Sequence, residues 1–257
     1  MSLISLEGKK GLVVGIANDQ SIAYGCAKAF KQLGAEDLAI TYLNEKAKSY
    51  VQPCADELGA SIFMPLDVRD DAQMQAVFDE ITKKWGKLDF VLHSIAFAPR
   101  DDLHARVVDC SKEGFSVAMD ISCHSFIRMA RLAEPLMGND GTLLTVSFYG
   151  SEKVVENYNM MGPVKAALES VARYLAAELG PKGISVHALS PGPLKTRAAS
   201  GIAEFDEMME KATREAPMHQ LVTIDDVGAY AGFLCSHAAK NVTGSVIYVD
   251  AGFNIVV

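Results

Sequence analysis

Tyr158 and Lys165 are the two residues of this 257-residue chain whose types and spacing point most directly to chemistry. They stand seven positions apart in the run NYNMMGPVKAALESVARYLAAELGP, nearly two helical turns, so both side chains can face one cleft. A lysine ammonium can bind ribose hydroxyls and favours a tyrosine hydroxyl that donates to a developing oxyanion. Because Pro163 is tolerated in a first helical turn but distorts an interior, we expect the regular helix to begin close to Met161 or Gly162.

The elements that must position this pair alternate between short apolar runs and longer stretches of helical periodicity. The predicted strands are 11–15, 38–42, 61–65, 88–93, 142–147, 185–189 and 245–249. The predicted helices are 21–33, 45–58, 71–85, 111–136, one that ends near residue 179, and 224–236. Strands joined by helices require a parallel sheet covered on both faces. We therefore expect an α/β, Rossmann-type doubly wound sheet of about seven strands, in a single domain over residues 1–257.

The turn GIANDQSIAYG directly follows the first predicted strand and leads into a helix. Gly15 permits a tight exit from the strand, Ser21 can cap the helix, and Gly25 lets the helix pack closely on the sheet. The start of that helix offers unpaired N–H groups and a partial positive charge to a pyrophosphate. A merely tight turn would also be rich in glycine, but the strand–turn–helix context favours a dinucleotide site.

Two further strand ends outline the rest of an extended dinucleotide. Asp67 follows the third strand, where its carboxylate can accept a hydrogen bond from the adenine amine while Val68 packs on the ring. The fourth strand leads into HSIA, where the small side chains around Ser94 and Ile95 let a ribose approach the backbone. Each fragment is commonplace alone, and their joint placement carries the prediction.

The end of the second strand bears on which nicotinamide cofactor is used. The run LNEK at residues 43–46 contains no arginine, the residue that NADP enzymes often place there for the 2′-phosphate. We therefore predict NADH as the cofactor, while Lys46 leaves NADPH open.

These residues together make the sequence resemble the enoyl-acyl-carrier-protein reductases of bacterial fatty-acid synthesis, a divergent branch of the short-chain dehydrogenases. The resemblance extends through GIANDQSIAYG, the pair at Asp67, HSIAFAP, the run around Tyr158, SPGPLKTRAASGI and VDAGF. It implies transfer of hydride from the nicotinamide to C3 of a trans-2-enoyl thioester. Tyr158 would stabilise the enolate oxygen, Lys165 would hold the ribose, and an acyl carrier protein would deliver the thioester.

The resemblance also implies contacts for the cofactor and for the substrate. Beside Gly15 and Lys165, the cofactor contacts would be Ser21, Ile22, Asp67, Val68, Ser94, Ile95 and Thr196. The substrate pocket would be lined by Ala96, Phe97, Phe148, Met161, Ile202, Phe205 and Met208. Apolar residues at helical spacing also fit a plain core, and Ala96 stands where the family usually has glycine, which adds a methyl group near the nicotinamide.

A long insertion at about residues 196–218 separates the sixth strand from the last helix. It begins with the small and polar residues TRAASG and continues as an amphipathic stretch. Because ligands of open α/β sheets bind beyond the carboxyl ends of the strands, we interpret it as a helical lid over the substrate, mobile until ligands bind. A surface helical hairpin is the alternative.

Two other functions remain open on the same sequence. An ordinary carbonyl reductase or alcohol dehydrogenase of this fold needs tyrosine and lysine four positions apart, a spacing that Tyr149 and Lys153 have. A non-catalytic NAD-binding sensor would keep the fold without the chemistry, since fold alone does not establish activity. Retention of both Tyr158 and Lys165 weighs against the sensor.

Composition bounds the partners and the compartment. The net charge of −8, with scattered lysines and arginines, argues against a nucleic-acid surface. The five cysteines form no CxxC pair and are interpreted as buried thiols of a reducing compartment, and the histidines show no metal-ligand spacing, so no metal is predicted. With neither a signal peptide nor an apolar run of ~20 residues, we expect a cytoplasmic protein with no membrane segment.

Self-association is a further expectation that follows from the resemblance, because members of that family are usually homotetramers built on their long helices. The apolar stripe Val164, Leu168, Val171 and Leu175 fits such an interface and fits a buried core equally well.

Overall fold

A seven-stranded parallel sheet organises the protein in a computed structural model that describes residues 4–196 and 205–256. The strands are β1 Lys10–Val14, β2 Asp37–Tyr42, β3 Ile62–Pro65, β4 Phe90–His93, β5 Gly141–Val146, β6 Ile184–Pro191 and β7 Val246–Val249. Their order across the sheet is β3-β2-β1-β4-β5-β6-β7, and all six neighbouring pairs are parallel. The predicted doubly wound α/β architecture is confirmed.

The α-helices of the described residues follow the predicted alternation. They are α1 Ile22–Gln32, α2 Glu45–Glu57, α3 Asp71–Trp85, α4 Arg100–His104, α5 Lys112–Met119, α6 Ser125–Ala133, α7 Met161–Leu179, α8 Phe205–Glu215 and α9 Ile224–Cys235. Helix α7 begins at Met161, as the position of Pro163 predicts. Helix α4 was not predicted, because five residues are too few to display a helical period.

The predicted helix over residues 111–136 is not one regular helix. A π-helical turn, Asp120–His124, separates α5 from α6, and a 3₁₀ turn closes the end. Within the π turn the buried Ser122 hydroxyl accepts a hydrogen bond from Phe97 N at 2.9 Å and donates to Phe97 O at 3.1 Å. The helix therefore widens where it contacts another segment, and such π turns often lie at functional sites.

The point where the strand order reverses lies between β1 and β4, which run side by side with Val14 opposite His93. Their carboxyl ends meet closely, since Ser94 N donates to Val14 O at 2.9 Å. Gly15 has a φ of 112°, and a Cβ there would lie 2.0 Å from Ser94 O. Only glycine fits this crossing, so Gly15 holds open the place where such folds bind ligands.

Helices α1 and α9 pack against each other through two glycines. A Cβ on Gly25 would lie 2.3 Å from Ile224 O, and one on Gly228 would lie 2.4 Å from Gly25 O. The expectation that Gly25 serves packing on the sheet is therefore wrong. Gly25 brings α1 against a neighbouring helix on the same face, a contact that periodicity along one segment cannot reveal.

The core is divided by the sheet into two layers. One layer packs Val77 of α3, Phe126 of α6 and Leu168 of α7. The other packs Phe30 of α1, Val51 of α2 and Val227 of α9. Cys26, Cys54, Cys123 and Cys235 are buried, whereas Cys110 is half-buried, so the interpretation of all five cysteines as buried thiols is wrong for Cys110.

Most of the apolar stripe on α7 belongs to this core. Val164, Leu168 and Leu175 are buried within the one chain, and Val171 is partly buried. These buried side chains therefore stabilise the core of the single chain and are not exposed to form an interface. No helix of the two described ranges, α7 included, is long and apolar enough to cross a membrane.

We expect Gly25→Ala to lower the free energy of unfolding by about 1–3 kcal/mol, because the added methyl group forces α1 and α9 apart. Gly180→Ala is the matched control, since a Cβ there has no atom within 4 Å. Urea denaturation of the two variants beside the unmodified protein measures the difference. Equal stability of Gly25→Ala and Gly180→Ala would show that the helix crossing is loosely packed.

Candidate active site

A cleft of about 340 Å³ lies beyond the carboxyl ends of the central strands. Its walls come from the ends of β4, β5 and β6, the start of α1, helix α7 and the first residue of α8. The lining residues are Ile22, Ser94, Ile95, Ala96, Phe97, Ala98, Leu103, Val146, Ser147, Phe148, Tyr158, Met161, Lys165, Pro191, Gly192, Pro193, Leu194, Thr196 and Phe205. Because most of these side chains are apolar, the few polar groups among them decide how a ligand is oriented.

Tyr158 lies in the loop just before α7, with its ring packed and its residue 7% exposed. The ring of Phe148 is 4.9 Å away between centroids, and Gly150 leaves the room that the Tyr158 ring occupies. Burial raises the pKa of Tyr158 well above its usual value, and the nearby Glu169 carboxylate adds to this. The phenol is therefore a protonated hydrogen-bond donor on the cleft wall.

Lys165 lies on the first turns of α7 and is only 4% exposed. Its ammonium donates to Val146 O at 2.6 Å, at the end of β5. Burial lowers the pKa of Lys165 to about 8, although the carboxylate of Glu169 opposes the shift. A lysine and a tyrosine thus share the cleft as predicted, although Tyr158 precedes α7 and the two residues do not stand on one helix.

Glu169 is a functional neighbour that the sequence analysis missed. It lies one turn after Lys165 on α7, is 3% exposed, and accepts hydrogen bonds from Ser147 Oγ at 2.5 Å and Ser151 Oγ at 2.6 Å. A buried carboxylate is stable only with such partners. The signal available in the sequence was a glutamate four positions after the lysine, a spacing too common in helices to distinguish this one.

His93 is a fully buried histidine at the end of β4, directly before Ser94 of the cleft. Its Nε2 lies 2.7 Å from Ser125 Oγ and its Nδ1 lies 2.9 Å from Thr145 Oγ1. Burial, with a contribution from the positive charge of Lys165, lowers the pKa of His93 to about 3. The imidazole is therefore neutral at physiological pH and serves to hold the strand ends together.

Tyr149 and Lys153 do not reproduce the arrangement of the first pair. The Tyr149 ring packs edge-on against Phe148 and Phe253, with centroids 4.6 and 5.4 Å away, and it does not line the cleft. Lys153 is exposed. The cleft is thus lined by Tyr158 and Lys165, and by neither Tyr149 nor Lys153.

The glycine-rich turn approaches the cleft at Ile22, the first residue of α1. Ser21 holds the N-cap position, yet its hydroxyl accepts hydrogen bonds from Ala17 N at 2.9 Å and Asn18 N at 3.1 Å instead of from the helix. The expectation that Ser21 caps the helix through its side chain is therefore wrong. The turn uses that oxygen for itself, which leaves the first N–H groups of α1 free of a side-chain cap.

The predicted adenine end lies away from the cleft. Asp67 accepts from the Arg69 guanidinium, with Arg69 Nη2 at 2.6 Å, and these hydrogen bonds hold the pKa of Asp67 below its usual value. Val68 is buried in the core, and its carbonyl accepts from Arg128 Nη2 at 2.6 Å. Neither Asp67 nor Val68 lines the cleft, and their contact with adenine stays a prediction.

Five of the seven predicted pocket residues line the cleft: Ala96, Phe97, Phe148, Met161 and Phe205. Met208 lies three residues further along α8 and is not among the lining residues of the cleft, so its place in the pocket stays a prediction. Ile202 lies outside the described residues, as do the other residues of the predicted lid over 197–204. Leu103 also lines the cleft and was not predicted, because its helix α4 is too short to show a helical period.

The cofactor contacts divide in the same way. Ile22, Ser94, Ile95, Lys165 and Thr196 line the cleft, while Gly15 and Ser21 shape the turn beside it. Within residues 4–196 and 205–256, no group of three or more histidine, cysteine, aspartate or glutamate side chains is arranged to hold a metal ion.

Comparisons with known proteins agree on one family. The model of a family described as enoyl-(acyl carrier protein) reductase matches residues 15–254. The NADH-dependent enoyl-[acyl-carrier-protein] reductase of Haemophilus influenzae is 47% identical, over 97% of this chain and 95% of its own. The solved enoyl reductase of Anaplasma phagocytophilum in complex with NAD has a TM-score of 0.93 at 45% identity, covering 98% of this chain and 95% of its own. That of Bacillus cereus with NADP+ has a TM-score of 0.95 at 41% identity, covering 99% of each.

We expect Lys165 to titrate with a midpoint near pH 8, protonated below it and neutral above it, because burial disfavours its charge. Glu169→Gln should lower this midpoint, since the carboxylate charge favours the ammonium. The ε-carbon resonances of isotopically labelled lysines, assigned with Lys165→Gln, measure both values. A midpoint near that of an exposed lysine, about 10.4, would contradict the burial.

Proposed function

The chain belongs to the enoyl-(acyl carrier protein) reductase family, and we propose that Tyr158 and Lys165 carry the reaction of that family in this cleft. In that reaction the double bond of a trans-2-enoyl thioester is reduced by transfer of a hydride from NADH to C3. The observation that carries the residue assignment is the placement of a buried phenol and a buried ammonium in one largely apolar cleft.

The cleft suits NADH by its donor set. Lys165 provides a buried ammonium that can donate to ribose hydroxyls, and the start of α1 at Ile22 faces the same space with the free N–H groups that pyrophosphates bind. Backbone groups at Ser94 and Ile95 lie between these two points along the sheet edge. When bound, the nicotinamide supplies the hydride.

Tyr158 acts on the oxygen of the substrate thioester. Its hydroxyl donates a hydrogen bond to the carbonyl oxygen as negative charge builds there, and such a donor is worth about 2.7–4 kcal/mol of the barrier. Because burial keeps the phenol protonated, it remains a donor across the physiological pH range. Lys165 keeps a positive charge close to the developing oxyanion, which the low-polarity cleft makes effective.

The apolar walls hold the acyl chain and exclude water. Phe97, Phe148, Met161 and Phe205 surround the space in front of Tyr158. A dry wall strengthens the hydrogen bond from the phenol and protects the reacting carbons from solvent. A cleft of about 340 Å³ is far too small for a protein, so an acyl carrier protein would dock outside and pass its thioester in.

Self-association is part of the proposal. The core takes most of the apolar stripe on α7, but other apolar side chains on the long helices stay outside it. Tyr174 on α7 is 72% exposed and Phe115 on α5 is 41% exposed. These side chains support a homotetramer, the assembly usual for the family, with contacts on the outer faces of α5 and α7.

We expect Tyr158→Phe to lower turnover of an enoyl thioester by more than about tenfold while NADH still binds, because the variant lacks only the donor to the oxyanion. Lys165→Ala should weaken NADH binding instead. Tyr149→Phe is the control and should change turnover by less than about threefold. Steady-state NADH oxidation and fluorescence titration of NADH measure these effects. Loss of activity in Tyr149→Phe with activity kept in Tyr158→Phe would assign the chemistry to Tyr149 and Lys153, and the protein to carbonyl reduction.

NADH should have a lower Michaelis constant than NADPH by about tenfold or more, because Glu45 rather than an arginine follows β2. The Glu45 carboxylate accepts a hydrogen bond from the Tyr42 hydroxyl at 3.4 Å and pairs with Lys48 at 3.5 Å, so it stands at the strand end where a 2′-phosphate would arrive. Glu45→Gln should reduce the preference for NADH over NADPH. Lys46→Ala, at the neighbouring position, is the matched variant. A lower constant for NADPH that Lys46→Ala abolishes would make Lys46 the phosphate partner.

A further inference from the structure

The backbone on both sides of Tyr158 is held in an unusual conformation. Asn157 has a φ of 61° and Asn159 a φ of 45°, both in the left-handed region that residues other than glycine rarely adopt. Asparagine tolerates this region better than most residues, yet the conformation still persists only where surrounding contacts hold it. Tyr158 thus stands on a sharp corner of the chain, and the contacts that maintain this corner decide where its hydroxyl points.

One of these contacts reaches another segment that lines the cleft. The Asn159 side-chain amide donates through Nδ2 to the carbonyl oxygen of Leu103 at 2.8 Å, across 56 positions of sequence. Leu103 belongs to α4 and lines the cleft. The next residue along the corner makes a second contact in the same direction, since Met160 Sδ lies 3.7 Å from Cys110 Sγ.

The segment that these contacts reach also packs on the corner through apolar side chains, since Leu103 and Cys110 contact the buried cluster that contains Tyr158 and Met160. None of the five residues of α4 is buried. The segment is fixed at one end by the two hydrogen bonds between Ser122 and Phe97, and at the other by Asp102 Oδ1, which accepts from Ser111 N at 2.6 Å. The hydrogen bond to Leu103 O, at the residue after Asp102, is a polar link between this segment and the corner that carries Tyr158.

We propose that Asn159 is a positioning residue, whose amide links the Tyr158 corner to the Leu103 wall and so sets the place of the phenol relative to the bound acyl thioester. The inference rests on the proposed role of Tyr158. The Leu103 wall, against which the substrate packs, is then held in a fixed position relative to the Tyr158 hydroxyl. This hydroxyl meets the carbonyl oxygen of the substrate. Cutting the link leaves cofactor binding intact, because Asn159 does not line the cleft, and lets the phenol drift from the reacting oxygen.

Two substitutions separate the hydrogen bond from the backbone conformation. Asn159→Gly accepts a positive φ without strain but removes the donor. Asn159→Asp also tolerates the conformation, and it places an acceptor opposite the Leu103 carbonyl unless the carboxyl group is protonated. His219→Gly is the matched control, since His219 has a φ of 49° and a ring nitrogen 3.1 Å from Arg214 O, at an exposed position.

Steady-state kinetics with enoyl thioesters of increasing chain length, NADH affinity and urea denaturation are measured for each variant. Asn159→Gly should lower kcat by about three- to tenfold with an unchanged NADH dissociation constant, the effect of one lost hydrogen bond. It should also reduce the discrimination between chain lengths, because Leu103 is released. The kcat of Asn159→Asp relative to the unmodified protein should rise as the pH is lowered from about 8 to about 4.5, toward the usual aspartate pKa of about 3.9, since the protonated carboxyl group regains a donor, while the ratio for Asn159→Gly stays flat.

Native kcat and native chain-length dependence in both Asn159 variants, with Tyr158→Phe inactive, would overturn this inference and leave the proposed function standing. A fall in kcat matched by equal losses of stability and NADH affinity would also overturn it, because a merely structural role would have that result. Full activity of Tyr158→Phe would overturn both the residue assignment and the inference that rests on it.

Discussion

The positive charge of Lys165, held inside the protein, is the interaction on which the rest of the site depends. An ammonium without water is costly, and here the cost is offset by the Val146 carbonyl at 2.6 Å and by the negative charge of Glu169 one helical turn away. Glu169 in turn needs Ser147 and Ser151 as donors. These hydrogen bonds and charges therefore connect the end of β5, the turn that follows it and the first turns of α7. Tyr158 lies beside this network, just before α7.

The parallel sheet gives that unit its neighbours. Because every strand points the same way, the ends of β1, β4, β5 and β6 converge on one edge, and the reversal of strand order between β1 and β4 leaves space there. Gly15 keeps the space open by allowing the chain to pass Ser94 at a distance no side chain would permit. A cofactor and a substrate can then meet in front of Lys165 without any strand being interrupted.

The structure departs from the expected architecture where one segment contacts another segment that is distant in sequence. The helix over 111–136 contains a π turn because Ser122 bonds both backbone groups of Phe97. Gly25 meets α9, not the sheet, and Ser21 bonds the preceding turn, not the helix that it precedes. Each of these outcomes depends on a partner that the local pattern of residues does not contain.

By itself, the sequence determined the order and type of the elements, the parallel sheet, the glycine-rich turn and the choice of Tyr158 with Lys165, because periodicity, turn chemistry and short spacings are local properties of a chain. The family that the sequence resembles is also the one that the comparisons show. Only the tertiary structure decided that Glu169 is the buried countercharge, that Leu103 is a cleft wall, and that Asn159 joins this wall to the corner of Tyr158. Burial and hydrogen bonding between distant segments exist only once the sheet has brought them together, since a charge or an amide acquires its partner through packing and not through its neighbours in sequence.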